Sequence, residues 1–132
     1  MNITQQVIIL SANQNDNNHE RNRQLHQNLK ACLDDCGFTS RDAIGVYKGK
    51  EEDSVVVLVN NETDIETVKD FAFKSFNQES ILYQDANQEA YLLYQDGTTE
   101  QLGRLEQVNP KLVETLDSYT VMDGRVYTTI KK

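Results

Sequence analysis

The stretch from Ser11 to Asn22, SANQNDNNHERN, concentrates hydroxyl and amide side chains between an apolar run, Val7-Ile8-Ile9-Leu10, and a segment with helical spacing. A strand that runs into a helix N-terminus presents unpaired backbone N–H groups and the positive end of a dipole, an arrangement that suits a phosphate or a nucleotide. Ser11, Asn13 and Asn18 would add polar contacts, and Arg21 and Asn22 follow at the start of the helix. Glu52 and Gln78 lie at or beside other strand ends and complete a candidate site for a small-ligand module or a weak hydrolase. Capping alone also calls for Asn and Ser at a helix start, and the loop has no glycine to let a ligand approach the backbone closely. On balance the amides read mainly as a cap, and the shared polar positions as a network that holds loop geometry.

Other residue types with chemical potential offer less. Glu51-Glu52-Asp53 falls in a charged linker, KGKEED, whereas a general acid needs a sheltered position to raise its pKa. His19, His26, Cys32 and Cys36 share one predicted helix, and four ligands on one straight helix cannot converge tetrahedrally on an ion. Cys32 and Cys36 read as reduced thiols facing the core. No G-x-S-x-G elbow is present, and Gly45 and Gly49 stand apart from any phosphate-cradling motif. No catalytic residue, metal or cofactor is assigned, and the balance leans away from an enzyme.

The charge is lopsided. The net value is −8, and from Glu51 to Glu106 thirteen acids face only Lys69, Lys74 and Arg104. Such a surface repels nucleic acid and anionic membranes and suits a basic partner. Glu51, Glu52, Asp53, Glu62 and Asp64 are the residues expected to meet it. No apolar stretch approaches the roughly 20 residues of a membrane span, and no signal peptide is evident, so a cytoplasmic setting is expected.

The elements expected to position these residues follow from periodicity. Strands are predicted over 5–12, 43–48, 54–60, 80–84, 89–94 and 100–107. A first helix spans 19–36, with Leu25, Leu29, Cys32, Leu33 and Cys36 on one stripe. Thr63 and Glu66 form a capping box opening a second helix that buries Ile65, Val68, Phe71, Ala72 and Phe76. Asn109-Pro110 starts a short third helix, and Asp123-Gly124 marks a hairpin. The order β-α-β-β-α-β predicts a single α+β domain over 1–132, ferredoxin-like, with extra C-terminal strands and a β-hairpin.

The order ILSAN, ERNRQLHQNL ending at GF, GVYKGKEEDSVVVLV and FNQESILYQD resembles a family of small uncharacterised proteins of bacteria and tailed phages. The resemblance rests on Ser11-Ala12, Arg21-Asn22, Gly45, Glu52-Asp53-Ser54 and Gln78-Glu79-Ser80, covers about the first 95 residues, and is looser beyond. It implies a phage or bacterial setting and supplies no mechanism. Charge and resemblance together predict a non-enzymatic, acidic interaction protein that occupies a basic surface of a host protein. An inhibitor of a nucleic-acid-handling or defence enzyme would fit. The alternatives are the ligand module above and an assembly component that forms homo-oligomers through a strand edge.

Overall fold

The computed structural model describes residues 5–14 and 17–131, so Asn15 and Asp16 of the amide-rich loop lie outside the described residues. The strands are β1 (Val7–Leu10), β2 (Ser40–Tyr47), β3 (Lys50–Leu58), β4 (Ser80–Gln84), β5 (Glu89–Tyr94), β6 (Thr99–Val108), β7 (Ser118–Met122) and β8 (Arg125–Ile130). They close into an antiparallel barrel in the order β1-β3-β2-β7-β8-β6-β5-β4, with β4 returning to β1. Helices α1 (His19–Asp35) and α2 (Glu62–Asp70) lie outside the barrel, and α2 continues into a π-helical turn, Phe71–Ser75. A 3-10 helix covers Pro110–Thr115. No helix among the described residues is long and apolar enough to cross a membrane.

This architecture corrects the expected open ferredoxin-like sheet. The segment β4-β1-β3-β2 forms one half of the wall, but neither β2 nor β4 is an edge. The β7–β8 hairpin pairs with β2 through Ile44↔Val121 to Tyr47↔Ser118, and β5 pairs with β4. Strand β6 then bridges β5 and β8 and completes the circle. Closure gives every strand a neighbour on each side, but residues 40–43 of β2, residues 50–54 of β3 and the two halves of β6 are each paired along one side only.

Two cores result. Val7, Ile9, Ala43, Val56, Leu105, Met122 and Tyr127 pack together in the barrel interior. Ile8, Leu10, Val55 and Val57 point the other way, against Leu29 and Leu33 of α1 and Ile65, Val68 and Ala72 on the second helical segment. Successive strand residues face opposite sides of a sheet, so only a strand buried on both faces can be apolar at every position. That accounts for the runs VIIL in β1 and VVVL in β3.

Local details depart from expectation in three places. Asn61, not Thr63, caps α2, its side chain accepting a hydrogen bond from the Asp64 N–H. Cys36 is exposed and only Cys32 packs on the core, because the helix ends at Asp35 and Cys36 already has a non-helical backbone. Glu51-Glu52-Asp53 lies inside β3, since the chain reverses at Lys48-Gly49 instead of looping through the charged segment.

Candidate functional site

The loop after β1 is held from three sides. Ser11 Oγ donates to the Asp53 carbonyl at 2.7 Å and accepts from the Asn13 N–H at 3.0 Å, tying the end of β1 to β3. Gln14 and Asn22 pair reciprocally: the Gln14 N–H donates to Asn22 Oδ1 at 2.9 Å, and Asn22 Nδ2 donates to the Gln14 carbonyl at 3.2 Å. On the third side, Gln14 Nε2 donates to the Phe76 carbonyl, and Gln78 Nε2 donates to the carbonyls of Asn13 and Phe76. The π-helical turn sets this last anchor. It widens the helix end so that Phe76 bonds back to the Phe71 carbonyl and Gln78 to that of Ala72.

These anchors bring Asn13, Gln14, Asn17, His19 and Asn22 against Lys50, Glu51 and Glu52, around a cleft of about 140 Å³. The sequence-derived ligand set is thereby divided. Asn13, Asn22 and Glu52 line the cleft, while Ser11 and Gln78 are buried behind it as scaffold. Asn18 is spent on capping α1, accepting from the Arg21 N–H at 2.8 Å. The Arg21 side chain lies on the exposed helix surface, bonded to Gln24, and does not line the cleft. Of the residues assigned to a basic partner, Glu51 and Glu52 line the cleft and Asp53 a neighbouring groove. Glu62 and Asp64 sit in the first turn of α2, where Asp64 accepts from the Asn60 N–H. Gln14, Asn17, His19 and Lys50 were missed. The first three stand in the same amide-rich stretch, and Lys50 was hidden by reading its segment as a solvated linker.

The cleft therefore joins two carboxylates, one ammonium and several amides within a small volume. Asn13 Oδ1 is buried with no hydrogen-bond partner among the described residues. Such a set fits a ligand carrying both signs of charge, with the carboxylates toward its cationic groups. A larger groove adjoins the cleft at His19, between α1 and the outer wall at β2 and β7. There Asp42 meets Lys30 Nζ at 3.0 Å and His26 Nε2 at 3.4 Å. Partial burial would raise the Asp42 pKa, but the Lys30 ammonium and the His26 ring outweigh it and hold the carboxyl below its ordinary value.

A family profile described as the S-adenosylmethionine lyase family matches residues 8–130 of the chain. The chain belongs to that family. The match spans the barrel from within β1 to the last residue of β8, and takes in every residue lining the cleft. No curated protein matches the chain. Membership in a lyase family overturns the expectation of a non-enzymatic, acidic inhibitor of a host protein, and with it the anti-defence role. The small-ligand alternative agrees better with the family.

Proposed function

We propose that this chain binds S-adenosylmethionine and cleaves the C–S bond of its methionyl arm. The observation that carries the reading is the convergence of Glu51 and Glu52 with the amide-lined loop in one cleft, in a chain of the S-adenosylmethionine lyase family. The substrate has a sulfonium, an ammonium and a carboxylate, the mixture of charge to which the cleft is complementary. Glu51 and Glu52 attract the two cationic groups, and Lys50 with the amides of Asn13 and Asn22 orients the carboxylate.

A lyase uses neither water nor a second substrate. In this proposal the substrate's own carboxylate oxygen forms a bond to Cγ as the Cγ–S bond breaks. The bonding pair leaves with sulfur, giving a neutral thioether, 5′-methylthioadenosine, and a five-membered lactone. No proton is transferred in that step. The protein's part is to fold the methionyl arm so that oxygen approaches Cγ in line with sulfur, and to keep water from competing. A tailed-phage or bacterial setting, implied by the resemblance, belongs to this proposal as well.

The test is chromatography of S-adenosylmethionine incubated with the purified chain in deuterated water. Formation of 5′-methylthioadenosine with no carbon-bound deuterium in the four-carbon product supports the reading. Glu52→Gln should lower kcat/KM by about 10²-fold with little change in Tm. A wild-type chain that leaves the sulfonium intact would overturn it.

A further inference from the structure

His19 is the first residue of α1 and stands where the cleft meets the adjoining groove, lining both. Neither the cap of α1 nor the anchoring of the loop uses its side chain. The residue is exposed, and its Nε2 lies 3.4 Å from Arg23 Nη2, one turn along the helix. A guanidinium has donors and no acceptor, so this contact requires Nε2 to carry a lone pair. The ring in this arrangement is therefore neutral, with its proton on Nδ1. Protonation of Nε2 removes the acceptor and sets two cations side by side.

Across the cleft, β3 is paired with β2 but not with β1 along residues 50–54. Side chains from both faces of β3 reach round this free edge, which lets the consecutive Glu51 and Glu52 both line the cleft. Two carboxylates against the Lys50 ammonium leave the described lining with negative charge in excess while His19 is neutral, and protonation of His19 cancels that excess.

We infer that the protonation state of His19 decides whether the cleft prefers a sulfonium ligand or the corresponding neutral thioether. The inference rests on the lyase reading for the chemistry of the ligand, and deepens it by naming the residue that sets charge selectivity. A sulfonium, an ammonium and a carboxylate sum to a positive ligand, which the excess of the cleft matches. A protonated imidazole, repelled by Arg23, turns instead to the carboxylates and takes the place of the ligand's cation. The thioether keeps the same ammonium and carboxylate, so the ratio of the two affinities isolates the charge at sulfur.

Histidine is the side chain whose charge ordinarily changes between about pH 5 and 8, and His19 is the one histidine among the residues that line the cleft. The other, His26, is buried and turned to Asp42. Asp42, Asp53 and Asp123 line the groove and not the cleft, and Arg23 holds its charge throughout.

The test is calorimetric titration of the full chain with two unreactive ligands, S-adenosylhomocysteine, which is the thioether, and sinefungin, in which an amine-bearing carbon replaces the sulfonium. In the wild type, the preference for sinefungin over the thioether should fall about ten-fold between about pH 7.5 and about pH 5.5. His19→Gln should hold the high ratio at both values, and His19→Lys the low one. A general loss of folded chain lowers both affinities and leaves their ratio unchanged. A wild-type ratio that does not move with pH would overturn the inference, as would a His19→Gln variant whose ratio still falls. Turnover of S-adenosylmethionine is scored separately. A chain that turns it over with a ratio indifferent to pH loses the role of His19 and keeps the lyase reading. One whose ratio follows His19 but which turns nothing over loses only the lyase reading, and one that binds neither ligand loses the role of His19.

Discussion

Asp42 shows how a single exposed carboxylate can serve an element. It draws Lys30 and His26 of α1 onto β2, and so fixes the helix that carries His19 and Asn22 to the cleft. Its pKa in the folded chain lies below the unfolded value. Its contribution is therefore present above the ordinary carboxylate pKa and is lost as pH falls through the folded value. Asp42→Asn should melt below the wild type at pH 7, and the two Tm curves should converge once the pH has fallen through the folded-state value. The carboxylate side chain is 60% exposed, so the difference at pH 7 should stay under about 1 kcal/mol. Individual residues of the site were legible on the same local grounds. Asn13, Asn22 and Glu52 stood out as polar groups at strand and helix ends, whereas Arg21 was chosen for its charge and the structure leaves it on the outer side of the helix.

At the scale of elements, β6 makes closure possible. Its first half pairs with β5 and its second with β8, and the register with β5 shifts at Ala90/Tyr91. Gly103 sits opposite that shift with φ +94, and a Cβ there would collide with the Ile130 carbonyl. A bulge of this kind bends a strand sharply enough to turn a sheet into a barrel. Gly103→Ala should destabilise the chain by about 1–3 kcal/mol from the left-handed backbone alone, and by more once β8 is displaced. Denaturant titration would read this as a lower midpoint, and an unchanged midpoint would mean that β6 does not need the kink. Helix and strand positions could be read from periodicity, but the caps were harder. Asn61 and Thr63 both satisfy the sequence rule, and only the backbone geometry chooses between them.

For the whole molecule, the net charge of −8 takes on a different meaning under the proposed function, in which the substrate is cationic. A field of that sign raises the local concentration of a ligand bearing net positive charge, and salt screens it. With S-adenosylmethionine as substrate, kcat/KM should fall as ionic strength rises from about 0.01 to 0.5 M, with kcat nearly constant. A flat salt profile would limit the acidic surface to keeping the chain dispersed. Composition alone could not separate a cationic small molecule from a basic protein surface, since both answer to the same field.

The sequence by itself determined the elements. Alternation, helical stripes and turn residues are local properties, and they located both helices and the Asp85–Asn87, Asp96-Gly97 and Asp123-Gly124 turns. It also carried the doubly apolar runs of β1 and β3, but not what covers each face. Tertiary structure alone decided that one face of those runs meets the helices and the other a barrel interior. Pairing β2 with β7 joins segments far apart in the chain, and no local preference distinguishes the closure it makes possible from an open sheet. The cleft has the same origin. Ser11 reaches Asp53 across 42 positions, and that contact turns two stretches of ordinary polar residues into one site.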